Sequence, residues 1–171
     1  MTELPHVLLD TTVDGTEAMG ELGARLAPVL RAGDLVVLTG PLGAGKTTLT
    51  RGLGAALGAR GQVSSPTFVL ARTHPTTAGP DLVHVDAYRL SDPVELDDLD
   101  LDWDAAIVVV EWGRGMVDGI SDSVLDVEIT RATGADAGTA PADDTDPDDV
   151  PDEPRRVVVT ATGPRWEGVA L

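Results

Sequence analysis

Apolar residues at Met19, Leu22, Leu26, Val29 and Leu30 repeat every three or four positions, the pattern of a helix with one buried face. Asp14, three residues before Glu17, fits a capping box at its start. The pattern then changes to a short continuous run. Residues 34–39 (Asp-Leu-Val-Val-Leu-Thr) are β-branched, bounded by glycine on each side, and predict a strand buried on both faces. A glycine-rich turn follows at 40–45, then a helix from about Lys46 to Leu57 that ends at Gly58 as a C-cap. Further on, Thr67 to Arg72 and Leu82 to Tyr88 read as strands around a Pro- and Gly-containing hairpin loop at 74–80. Asp92, Pro93 and Glu95 mark the start of a short helix with Val94, Leu96, Leu99 and Trp103 on its apolar side. Ile107 to Val110 is a continuous buried strand, and Val124 to Thr130 and Arg156 to Thr162 are the last two. Helices alternating with strands early, then mostly strands, predict an α/β fold on a mixed sheet flanked by helices. The 171 residues are expected to form a single domain.

Composition narrows the function classes. Cysteine is absent, which excludes disulfides, thiolate metal sites and a cysteine nucleophile. No basic segment precedes an apolar stretch, and the longest apolar run is Ala105 to Val110, so neither a signal peptide nor a membrane span is expected. The expected setting is the cytoplasm. The net charge of −17 repels a phosphate backbone at long range, so direct nucleic-acid binding by this chain alone is not expected. Most of the acidity lies in two stretches without a basic residue, Asp92 to Asp104 and Thr133 to Pro154. The second consists of Gly, Ala, Thr, Pro and Asp, which supply no core. It reads as a disordered acidic excursion between the last two strands.

The strongest chemical signal is Gly40-Pro-Leu-Gly-Ala-Gly-Lys-Thr47, which matches the G-x-x-x-x-G-K-[ST] phosphate loop. Glycines let successive backbone N–H groups turn toward phosphate oxygens, and the following helix adds the positive end of its dipole. Leu42, Gly43, Ala44, Gly45 and Thr48 join Lys46 and Thr47 as the expected phosphate-binding residues. Lys46 reaches the outer phosphates as a point charge, and Thr47 offers a hydroxyl to Mg²⁺. Of twelve basic residues Lys46 is the single lysine, standing where a compact ammonium differs in function from a planar guanidinium. The expected ligand is a nucleoside triphosphate. Guanine reading by an Asn/Thr-Lys-x-Asp segment is impossible, since the chain has no Asn and no second Lys, which favours ATP.

A Mg²⁺ site also needs a carboxylate at a strand end near Thr47. Glu111 after Ile107 to Val110 and Asp86 after Val83-His-Val both qualify. Ser65-Pro-Thr67 is either a γ-phosphate sensor or simply a polar strand start. His84 alternates with Asp86, so both face one side of their strand, where His84 is either packed or a ligand. Phe68, Tyr88 and Trp112, three of the five aromatic residues, fall inside these segments.

The succession of Gly40 to Thr48, Ser65-Pro-Thr-Phe68, His84-Val-Asp-Ala-Tyr-Arg-Leu90 and Glu111-Trp112 resembles the TsaE family, the small ATPase of bacterial tRNA threonylcarbamoyladenosine synthesis. The resemblance runs from about Thr16 to Trp112 and more loosely over the last strands. It implies a P-loop ATPase on a mixed sheet, using ATP and Mg²⁺. Its implied role is to support modification of the adenosine beside the anticodon, together with synthase subunits that perform the carbamoyl transfer. By matching position it implies Lys46, Asp86 and Glu111 as catalytic groups, with Thr47 and Glu111 on Mg²⁺. Thr67 matches a switch threonine, Trp112 a functionally sensitive Trp, Thr16 a threonine near the nucleotide and Arg156 an Arg near the base. Pro41 departs from the Asp usual in that family, and the acidic excursion has no counterpart in its compact members. On the residues alone, a small-molecule kinase or an ATP-switched binding module remains open beside the ATPase.

Overall fold

The computed structural model describes residues 4–41, 43–61, 63, 71–77, 79–131 and 154–171. The elements run β1 (His6–Asp14), α1 (Gly15–Leu26), β2 (Leu35–Thr39), α2 (Lys46–Leu57), β3 (Ala71–His74), β4 (Leu82–Asp86), α3 (Pro93–Asp97), β5 (Ile107–Glu111), β6 (Val124–Arg131) and β7 (Pro154–Thr162). Single 3-10 turns follow α1 at Ala27–Val29 and β7 at Pro164–Trp166. The strands form one seven-stranded sheet in the order β1-β7-β6-β2-β5-β4-β3. Strands β6, β2, β5 and β4 are parallel, and β7, β1 and β3 join antiparallel at the flanks.

Side-chain alternation along the central strands makes two cores. Val36 and Leu38 of β2 pack with Ile107 and Val109 of β5 against Met19, Leu22 and Leu26 of α1 and Leu49 and Leu53 of α2. Leu35 and Val37 point the other way, with Val83, Val85, Val108, Val110 and Leu96. Helices α1 and α2 approach closely because their contact is glycine: a Cβ on Gly23 would overlap the Leu49 carbonyl, and one on Gly52 the Gly20 carbonyl. At the far end of the sheet Arg165 grips Asp34 through Nε and Nη2 at 2.8 and 2.9 Å, tying the chain's last turn to the start of β2.

The sheet carries the expected mixed α/β order, with some boundaries and one element different. β1 lacks a clean alternation: most of its residues stay exposed or half-buried while it pairs with β7, and only Val13 is fully buried. An edge strand of this kind leaves a weak sequence signal. Asp14 precedes α1, but its side chain makes no cap hydrogen bond, so the expected capping box is not formed. Asp92 does cap α3 by accepting from the Val94 amide, and the Glu95 carboxylate accepts from the Ser91 amide. Val94 is 62% exposed rather than on an apolar face, because α3 is five residues long and buries only Leu96. The strand expected to reach Tyr88 stops at Asp86, whose carboxylate accepts from the Tyr88 amide and turns the chain. The hairpin around 74–80 is formed, His74 opposite Leu82. Most of the strand expected from Thr67, together with Phe68 and the acidic excursion between β6 and β7, lies outside the described residues.

Candidate functional site

Strand direction gathers the motifs at one end of the sheet. The C-terminal ends of β2, β5 and β4 carry the phosphate loop, Glu111 and Asp86, and their registers align Leu38 with Glu111 and Glu111 with Asp86. Outside the carboxyl ends of parallel strands is where α/β sheets place ligands. Asp14 at the end of β1 and Pro154 at the start of β7 pair with each other, so Thr16 in the first turn of α1 belongs to this end too.

Two glycines of the loop are dictated by geometry. Gly45 holds φ 106° and ψ 16°, a left-handed turn that starts α2. Gly40 sits so close to the Ile129 carbonyl of β6 that a Cβ there would lie 2.7 Å from its oxygen. Lys46, the first helical residue, is buried and curls back to donate from Nζ to the carbonyls of Gly40 at 2.8 Å and Pro41 at 3.0 Å. The same ammonium lies 4.2 Å from the centre of the Trp112 ring, a cation–π contact. Burial lowers the Lys46 pKa, and the charges of Glu111 and Asp86 push back upward. Leu42 lies outside the described residues. Gly43 has φ 76° with open space around it, Ala44 is buried, and Thr48 is buried in the first turn of α2.

Beneath the loop, Thr47 Oγ1 stands 3.4 and 3.5 Å from the two carboxylate oxygens of Glu111. Glu111 is buried, and its Oε2 is 2.6 Å from His84 Nε2. One strand further out, the Asp86 carboxyl is raised above the ordinary carboxylate range, chiefly by burial, with the Tyr88 amide opposing. Trp112 follows Glu111 in a left-handed conformation, φ 60°, uncommon for a residue with a Cβ. Its amide donates to the Leu38 carbonyl at 3.1 Å, and its ring meets Tyr88 at a centroid distance of 5.3 Å.

Arg156 is directed elsewhere. Val157, Val159 and Ala161 face the α1 and α2 side, so Arg156 faces the opposite side, where it holds Asp10 at 3.0 and 2.7 Å. Arg155 alternates with Arg156 onto the α1 and α2 side, and it is fully buried. The stronger apolar character of the odd-numbered positions along β7 is the sequence signal that selects it. The bond between His84 and Glu111 had no local signal, since 27 residues separate the two.

The donors fit a magnesium–nucleotide. Hydroxyl and carboxylate oxygens are hard ligands suited to Mg²⁺. Among the described residues no three His, Cys, Asp or Glu side chains converge to hold an ion by themselves. Thr47 and Glu111 are the residues here that could hold such an ion.

Against known proteins, the sequence model of the threonylcarbamoyl adenosine biosynthesis protein TsaE matches residues 13–138. The chain belongs to the TsaE family. The TsaE protein of Streptomyces coelicolor is 55% identical over 152 residues, spanning 86% of this chain and 93% of the relative. That of Bacillus subtilis is 33% identical over 155 residues, 89% of this chain and 83% of the relative. The crystal structure of Bacillus subtilis YdiB superposes with a TM-score of 0.68 at 25% identity, covering 98% of this chain and 91% of the other. Membership in TsaE places the chain in a family of tRNA threonylcarbamoyladenosine biosynthesis. Among the described residues no helix is long and apolar enough to cross a membrane.

Proposed function

We infer that this chain is a Mg²⁺-dependent P-loop ATPase that serves tRNA threonylcarbamoyladenosine modification beside synthase subunits, which carry out the carbamoyl transfer. The observation that carries this reading is the convergence of Glu111 on Thr47 at the first turn of α2, with Lys46 one residue away. Loop amides and Lys46 bind the β- and γ-phosphates, whose charged oxygens are stronger acceptors for Nζ than the Gly40 and Pro41 carbonyls. Thr47 and Glu111 would hold Mg²⁺, which would supply charge neutralisation for the phosphates. Asp86, on the same face from the neighbouring strand, orients the water that attacks the γ-phosphorus. The bond to the bridging oxygen breaks with its electron pair going to ADP, the water oxygen stays on the released phosphate with one of its protons, and the other proton leaves to solvent. Trp112 closes the site beside Lys46, and Thr16 and Thr67 are the remaining contacts implied by family position.

The kinase alternative needs several arginines over the phosphates. Arg114 is held instead by Asp126 at 3.0 Å and Glu128 at 2.7 Å, and Arg156 by Asp10. The charge of −17 leaves RNA contact to the partner proteins, and the cytoplasm is the setting of the reaction. Phosphate release should be measured for wild type and Glu111→Gln across a Mg²⁺ series, with and without the synthase subunits. The reading expects Mg²⁺-dependent release in wild type, stimulation by the subunits, and loss of the Mg²⁺ response in the variant. Wild-type Mg²⁺ dependence in Glu111→Gln would remove the assignment. Transfer of the γ-phosphate to a small molecule instead of water would favour the kinase.

A further inference from the structure

We propose that His84 is a positioning residue for Glu111, donating from Nε2 to the carboxylate and so holding it against Thr47 for the cation. The inference deepens the ATPase reading and rests on it. Register brings the two together: His84 of β4 pairs with Val109 of β5, and Glu111 lies two residues further on the same face. The contact is short, 2.6 Å, and the pair is shut away from water, His84 at 0% and Glu111 at 4% exposure.

Packing alone does not call for a histidine here. Its neighbours Leu82, Val83 and Val85 are aliphatic and buried, and another aliphatic residue would fill the position without bringing a polar ring inside. The ring is also oriented for one task. Nδ1 is buried and has no hydrogen-bond partner among the described residues. A proton there would be an unsatisfied buried donor, so it belongs on Nε2, facing Glu111. In this tautomer the ring fixes the carboxylate without cancelling the charge that a divalent cation requires. Carboxylates that hold metals are themselves held by hydrogen bonds, and losing such a bond costs about 10–100-fold in metal affinity.

The test uses the full chain and a fluorescent ribose-labelled ATP. Nucleotide affinity is measured in EDTA and then across a MgCl₂ series, for wild type, His84→Met, His84→Gln, Glu111→Gln and the double variant His84→Met/Glu111→Gln. Expected for His84→Met is an EDTA affinity within about twofold of wild type and a half-maximal Mg²⁺ concentration raised about tenfold or more. His84→Gln, which restores an N–H donor, should recover part of the shift, and His84→Met should add nothing to Glu111→Gln. Near-ultraviolet circular dichroism and apo melting establish that each variant folds. His84→Phe, a second donorless side chain, is read in the same way if the Met variant does not fold. A wild-type Mg²⁺ response in the donorless variant, with Glu111→Gln impaired, would overturn the role of His84 alone. A wild-type response in Glu111→Gln would instead overturn the Mg²⁺ assignment beneath it, and the proposal with it.

Discussion

The ammonium of Lys46 rests 4.2 Å from the centre of the Trp112 ring, at the point where the chain leaves β5 with φ 60°. The ring and the Gly40 and Pro41 carbonyls together satisfy a cation that burial disfavours. Trp112 therefore faces the one lysine of the molecule, and the two should respond together when phosphate arrives.

Nucleotide binding should change Trp112 emission, because phosphate oxygens draw Nζ away from the ring. Lys46→Ala should abolish that response and weaken ATP binding about 100-fold or more, while the apo melting temperature holds or rises slightly. The sign of the stability effect follows from the lowered Lys46 pKa, which marks the charged form as disfavoured in the folded chain. Trp103 and Trp166 also emit, so the titration is repeated in Trp112→Phe. An unchanged signal in that variant would assign the response elsewhere.

Asp86→Asn should lose ATP turnover yet stabilise the apo protein at neutral pH. The Asp86 carboxyl is raised by burial, so the folded state binds its proton more tightly than the unfolded chain. Its ionisation thus destabilises the fold above the folded pKa, and that penalty disappears as pH falls below the ordinary value of 3.8. Thermal melts of both proteins from pH 7 down to pH 3.5 should therefore converge. A variant less stable than wild type at pH 7 would contradict the sign.

Arg156→Ala should leave ATP affinity within about twofold of wild type, because the guanidinium is exposed on the outer face against Asp10. Arg155→Ala, by contrast, should lower the melting temperature, since it opens a space at a fully buried position of β7. Isothermal titration and melting of the two variants separate these outcomes. A large loss of affinity in Arg156→Ala alone would return the base contact to that residue.

Removing Ala135 to Asp152 should leave ATP turnover of the isolated chain nearly unchanged. Arg131 and Arg155 are paired neighbours at the ends of β6 and β7, so a short turn can close the gap. The closure entropy changes by only about 1 kcal/mol or less. The deletion takes out seven acidic residues and moves the net charge from −17 to −10. Stimulation by the synthase subunits should then be the same at low and high salt. A defect confined to low salt would show that the segment docks on a basic surface. Loss of turnover in the isolated chain would place the segment in the fold.

The phosphate loop was legible in the sequence because its function is local. Amides of consecutive residues make the cradle, so glycine spacing, a preceding buried strand and Lys46 state it without reference to the rest of the chain. The central strands were legible for a similar reason: burial on both faces demands continuous apolar runs such as Ile107 to Val110. Edge strand β1, mostly exposed or half-buried, carries no such demand and escaped notice. Of the two strand-end acids, Asp86 and Glu111, local pattern admitted both, and the family resemblance implied Glu111 for Mg²⁺. The sheet order, which places β5 and not β4 beside β2, is what brings Glu111 to Thr47 across 64 residues. The same long-range registry brought His84 to Glu111. Residue spacing encodes what neighbours in sequence do together, whereas strand pairing joins residues whose separation leaves no trace in local pattern.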